Sequence, residues 1–253
     1  MVSFTEAQIL EWITPYLWTF LRTLALFTAL PVLGTRTVPA RVRVALAGFI
    51  ALAVQASLPP VAPVPLDSVP AFALVLQQMV VGLAMGFAVR VVFAAVEFAG
   101  EVIGLQMGLN FAGFFDPITA SAGTATSRFY GTTIAWLFVV SGGHLLVIAA
   151  LVQSFGAFAV GPEPFAFITQ VQPQRWGAEI FMLGLWIALP LVAMLLLVNM
   201  VLGVVSRVAP QLNVFSVGFP ITLSVGLLGL LLTLPALQTP FTMALERMLT
   251  IFR

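Results

Sequence analysis

The sequence predicts an all-α integral membrane protein with about six hydrophobic helical segments, several of them short or Pro-broken, arranged as helical hairpins. Three observations carry that prediction. Hydrophobic residues make up 61% of the 253. Charged residues make up 8%, where a soluble domain carries about 25%. Mean hydropathy is +1.12. A soluble chain of this length turns more than about half of its side chains to water, and this one lacks the polar residues to do so.

The elements follow in chain order. The first apolar segment, Ile13–Leu33, comes after an acidic start containing Glu6 and Glu11. No positive n-region precedes it and no Ala-x-Ala site follows, so it is expected to remain in the mature chain. The second, Val42–Leu58, is marginal. Its charge-free part, Ala45–Leu58, rises only about 21 Å as a helix, against a hydrocarbon core of about 30 Å. Leu58–Pro70 holds five prolines and cannot be helical. The third segment, Ala71–Val89, opens a stretch free of proline as far as Gly108, which predicts one long helix. The fourth is Phe129–Val152, followed by a break at Gly161–Gln174 with Pro162, Pro164 and Pro173. The fifth, Ile180–Val205, carries Pro190, and the sixth, Phe215–Leu237, carries Pro220. Short and broken segments point to helices buried in protein.

Several function classes drop out. Net charge is +1 with no basic run, which leaves nothing to neutralise phosphates, so no nucleic-acid partner is expected. Zero Cys removes disulfides, zinc–thiolate sites and cysteine nucleophiles. The single His, His144, follows Ser141-Gly142-Gly143 without a nucleophile motif or a metal-ligand spacing. No catalytic residue, cofactor site or metal site is expected. All ten basic residues are Arg, and their placement predicts a topology. Arg36, Arg41 and Arg43 place the first connection in the cytoplasm. The acidic N-terminus, the Asp67 loop and the Gly161–Gln174 loop then lie outside. The 90–128 connection and Arg207 lie inside. The C-terminus falls outside although Glu246, Arg247 and Arg253 sum to +1, against the rule.

Within the long third helix, Met79, Gly82, Gly86, Arg90, Phe93, Glu97, Gly100, Glu101, Gly104 and Gly108 fall on one side at 100° per residue. Thr222, Gly226, Gly229 and Thr233 make a similar stripe. Small residues at that spacing let helices approach closely, either within the chain or against other subunits. Arg22 lies mid-segment, where a charge costs about 2.5–3.5 kcal/mol on insertion scales. Glu97 and Glu101 share a helix face and repel unless cations or protons intervene. Arg22, Arg90, Glu97 and Glu101 are therefore expected to form a buried charge network. Gln106–Ser127 is apolar and aromatic at first, then small and polar, with Asp116-Pro117 breaking any helix. It is either tucked into protein or lines a closed passage.

Three stretches resemble the FliR family of flagellar biosynthetic proteins and its type III secretion export-apparatus counterpart. The first runs Phe20–Arg22, Leu30–Gly34 and Val38–Arg43. The second is Glu97–Ala112 with Asp116-Pro117. The third, and the most specific, is Ser206–Pro220. They occur in the family's order over nearly the whole chain. The resemblance implies an all-helical subunit of a flagellar export gate in the bacterial inner membrane. Such a subunit is multi-pass, belongs to the flagellar basal body, and passes unfolded proteins without being an enzyme. It implies an N-terminal part, 1–176, similar to the FliP partner, and a C-terminal hairpin, 177–253, similar to the FliQ partner. The glycine stripes would then be faces between subunits. By position and content, 106–127 matches the family's plug loop, which would place Met107, Phe111, Phe114, Phe115, Asp116 and Pro117 in the pore. Arg207–Ser216, with Arg207, Pro210, Gln211, Asn213 and Phe215, matches a turn that meets an FlhB-like partner on the cytoplasmic side. Membrane lipid is the remaining contact. A small-molecule secondary transporter is the alternative. It would show inverted repeats and a polar site at mid-membrane, and neither is visible.

Overall fold

The computed structural model describes residues 6–58, 64–65, 68–109, 123–161, 167, 171–209 and 214–253. The described elements are all helical. They are α1 (Glu6–Ala29), α2 (Ala40–Gln55), α3 (Val69–Gln106), α4 (Ala125–Val140), α5 (Gly143–Ala157), α6 (Trp176–Val208), α7 (Val214–Thr233) and α8 (Gln238–Thr250). Short 3-10 turns, Pro173–Arg175 and Leu234–Leu237, lead into α6 and α8.

The all-helical fold is as expected, but the count of about six hydrophobic segments differs from the structure. Three stretches are long and apolar enough to cross a membrane: Val69–Gln106, Pro173–Val208 and Ser216–Thr250. The fourth segment is two helices, α4 and α5, bent by 66° at the break. The cause is Gly142, whose φ of 76° lies in the left-handed region that glycine enters without a Cβ penalty. Counting that pair as one span gives four. Pro190 and Pro220 do not break their helices, since both lie inside continuous α-helix. In apolar surroundings the remaining backbone groups have no water to turn to, so the helix runs through the proline. α8 was not anticipated. It is amphipathic, burying Phe241, Leu245, Met248 and Leu249 at helical spacing while Met243, Glu246 and Arg247 face out. A search for long apolar windows passes over such a helix.

α3 matches its prediction closely. Nothing interrupts it after Pro70, and it ends where Gly108 takes φ 79°. Its 38 residues rise about 57 Å.

The chain divides into two compact units that are interleaved in sequence. One comprises Met1–Arg90, Gly142–Trp176 and Leu245–Arg253, and the other Val91–Ser141 and Gly177–Ala244. In the first, α1 and α2 pack together, with Ala47 and Ala51 buried on α2. Gly82 and Gly86 of α3 lie against the α1 backbone at Arg22 and Leu26, so close that a Cβ on either would collide. Trp18, Ala71 and Leu74 form a core with Leu21, Val64, Val75 and Val160 around them. A second apolar centre is aromatic. Phe252, fully buried, lies 6.0 Å from Phe167, 6.4 Å from Phe158 and 6.2 Å from Trp176 between ring centroids. Trp176 in turn stacks on Phe87 at 5.8 Å.

The second unit uses the same devices. Phe93 meets Phe138 and Phe241 edge-on at 5.7 and 5.9 Å. Gly184 of α6 faces Ala95 and Phe98 of α3, and Gly229 of α7 faces Leu191 and Met194 of α6. The small-residue stripes are thus occupied within the chain, and the faces that the resemblance assigned to neighbouring subunits are at these glycines intrachain contacts.

Candidate functional site

Two polar assemblies stand out in an otherwise apolar molecule, one in each unit. The first centres on Arg22. Its side chain has no exposed surface. Nε donates to Gln78 Oε1 at 2.7 Å, one terminal nitrogen to Ser154 Oγ at 3.0 Å and the other to the Phe158 carbonyl at 2.8 Å. The guanidinium carbon lies 3.8 Å from the centre of the Phe155 ring, a cation–π distance. The network extends outward. Gln78 Nε2 donates to Gln77 Oε1 at 3.1 Å, and Gln77 Nε2 donates to the Ala159 carbonyl at 3.1 Å.

The sequence places Arg22 in a buried charge network with Arg90, Glu97 and Glu101, but the three acceptors it reaches among the described residues are neutral. The chemistry is that of a helix end. Phe158 and Ala159 follow directly on α5, whose last carbonyls have no intrahelical donor. Arg22 and Gln77 donate to the two carbonyls that directly follow the helix, and the partial negative charge at the C-terminus of α5 favours a guanidinium there. Gln77, Gln78 and Ser154 were not singled out from the sequence. The signal was present in two adjacent amides inside an apolar helix.

The other three members of the expected network lie elsewhere. Arg90 and Glu97 are exposed and Glu101 is half-buried. Glu101 belongs to the second assembly. Its Oε2 accepts from the Thr124 backbone N–H at 3.2 Å and from Thr124 Oγ1 at 2.9 Å. Thr124 is the N-cap of α4, its Oγ1 accepting from the Ser127 N–H at 3.2 Å. Ser127 Oγ donates to the Glu97 carbonyl at 3.1 Å. Gly100 and Gly104 give α3 the close approach to residues 124–127 that these bonds need. A carboxylate at the N-terminus of a helix is also favoured by the helix dipole.

Of the expected plug residues, Met107 is fully buried with Gly226 of α7 against its side chain. Phe111, Phe114, Phe115, Asp116 and Pro117 lie outside the described residues. In the expected partner turn, Arg207 is exposed in the last turn of α6. Pro210, Gln211 and Asn213 lie outside the described residues, as does the Phe215 side chain. His144 is exposed in the first turn of α5.

Residues 13–248 match the family described as bacterial export proteins, family 1. The flagellar biosynthetic protein FliR of Escherichia coli strain K12 is 42% identical over 241 residues, covering 95% of this chain and 92% of that one. FliR of Pectobacterium carotovorum is 39% identical over 241 residues with the same coverage. FliR of Bacillus subtilis strain 168 is 30% identical over 253 residues, covering 95% of each chain.

Proposed function

The chain belongs to the bacterial export proteins, family 1, as a membrane-embedded flagellar component of FliR type, and from that premise we propose that it is one subunit of the flagellar type III export gate. It sits in the bacterial inner membrane and joins FliP-like and FliQ-like subunits around a pore for unfolded flagellar proteins. Residues 1–176 are the FliP-like part and 177–253 the FliQ-like hairpin. Gln106–Ser127 plugs the passage and Arg207–Ser216 meets an FlhB-like protein on the cytoplasmic side. The role is structural: the chain positions and seals, and performs no covalent chemistry.

One observation supports this reading most. α6 belongs to an apolar stretch of 36 residues, yet only 22% of its most apolar window is buried within the chain. Such a helix has most of its surface free for other membrane components. The test is to purify the full-length chain from membranes in which FliP-like and FliQ-like proteins are co-expressed. Stable co-purification is expected, with loss of flagellin secretion when the gene is deleted. A single chain recovered alone, with secretion intact in the deletion strain, overturns the proposal. The plug has its own test. Deleting Asn110–Ala122 should leave an assembled complex that leaks small ions, and an intact complex with no added leak removes that assignment.

A further inference from the structure

We propose that the N-terminal end of α2 is a binding site for an acidic phospholipid, with the phosphodiester headgroup held by Arg36, Arg41 and Arg43 and the acyl chains laid along the exposed face of α2. The charge pattern comes first. Between Glu11 and Asp67 the sequence holds four arginines and no acidic residue. Arg22 is consumed in the buried core of the first unit, so the other three form a positive cluster with no carboxylate near them in sequence. Arg36 and Arg41 are exposed and Arg43 is half-buried. Arg43 Nε is shielded from solvent and has no hydrogen-bond partner among the described residues.

The backbone adds to this. α2 begins after Pro39 with no side-chain cap and no acidic residue in its first turn. The free N–H groups and the dipole at that end favour negative charge. Below the arginines the helix is apolar on its outside: Val42, Val44, Leu46, Phe49 and Leu52 are all exposed, with Phe49 at 70%. Only Ala47 and Ala51 are buried. Sixteen residues rise about 24 Å, short of a hydrocarbon core of about 30 Å. Such a helix reaches from the headgroup level into the acyl region without crossing. Positive charge at one end and an apolar flank below it match an amphiphile with an anionic head. A polar protein partner would leave that flank uncovered, and free phosphate would not use it.

The site is tested on the full-length chain in detergent by titrating dioleoylphosphatidylglycerol or dioleoylphosphatidylcholine and counting bound lipid by native mass spectrometry. A preference of about tenfold or more for phosphatidylglycerol is expected. Each basic side chain near a membrane surface contributes about a fivefold preference, so losing two should abolish a preference of about tenfold in R36Q/R41Q. R36K/R41K should retain it within about twofold, because a lysine keeps the charge. R175Q, at an exposed arginine with no other basic residue within 30 positions, should leave it unchanged. Arg36 and Arg41 are exposed, so an unaltered thermal midpoint is expected for both double variants. No preference in the unaltered chain, retention in R36Q/R41Q, equal loss in R175Q, or displacement of the lipid by inorganic phosphate would each overturn the assignment. The outcome is independent of whether the chain is an export-gate subunit.

Discussion

Arg22 and Glu101 are two charges in the same apolar chain, handled in opposite ways. Arg22 is removed from solvent, and its guanidinium donates to neutral oxygens, one of them beyond the end of α5. Glu101 is half-buried and accepts twice from Thr124 at the start of α4. One charge sits at the negative end of a helix and the other at the positive end. The difference teaches that helix termini can serve as the counter-charges in a chain with few ionised residues. It also ranks the two. A buried donor set with three acceptors has no fallback when it is removed, whereas water can replace Thr124 at a half-exposed carboxylate.

That ranking can be broken or sharpened by substitution. Arg22→Leu takes the donors from the buried Gln78 oxygen and the part-buried Phe158 carbonyl, and at about 1–3 kcal/mol for each unpaired group should cost about 2–6 kcal/mol. The measurement is the thermal midpoint of the purified chain in detergent, together with its yield from membranes. Arg22→Lys should recover less than half of the loss, because one ammonium cannot span three acceptors in a fork. Full recovery would show that charge alone matters there. Gly82→Ala comes next. The added methyl meets the Arg22 carbonyl and Ala25, and overpacking of this kind costs about 1–3 kcal/mol. A neutral result would mean that α1 and α3 separate freely. Thr124→Ala removes the N-cap of α4 and both oxygen contacts of its side chain, and should cost about 1 kcal/mol, with Thr124→Ser restoring most of it. A loss as large as that of Arg22→Leu would reverse the ranking. At the bottom of the scale is Gly48→Ala on α2, where nothing lies within 4 Å of the new methyl. There the better helix former should stabilise by about 0.5–1 kcal/mol. A destabilised Gly48→Ala chain would show that α2 packs against something at that face.

How far the fold was legible depended on whether the governing signal was local. α3 could be read from residues alone, since its start lies beside a proline cluster and its end at Gly108. The bend at Gly142 could have been read from Ser141-Gly142-Gly143, but an unbroken run of hydropathy masked it. Hydropathy counts apolar residues and carries no information on φ. α8 was hidden for the converse reason. Its polar residues lower the average although its Phe241, Leu245, Met248 and Leu249 spacing is regular. The need of Arg22 for partners was legible, but their identity was not. Ser154 is 132 residues away in sequence and Gln78 is 56, and nothing in spacing reveals that a neutral helix end will substitute for a carboxylate.

The placement of Phe252 bears on the order in which the protein is made. Its ring closes an aromatic centre with Phe158, Phe167 and Trp176. That centre lies in a unit whose first portion ends at Arg90 and whose last portion begins at Leu245. Translation runs from the N-terminus, and domains generally fold as units while it proceeds. This unit is therefore started first and finished last, and every residue of the other unit is synthesised in between. Until Phe252 has been made, Phe158, Phe167 and Trp176 lack the ring that packs among them.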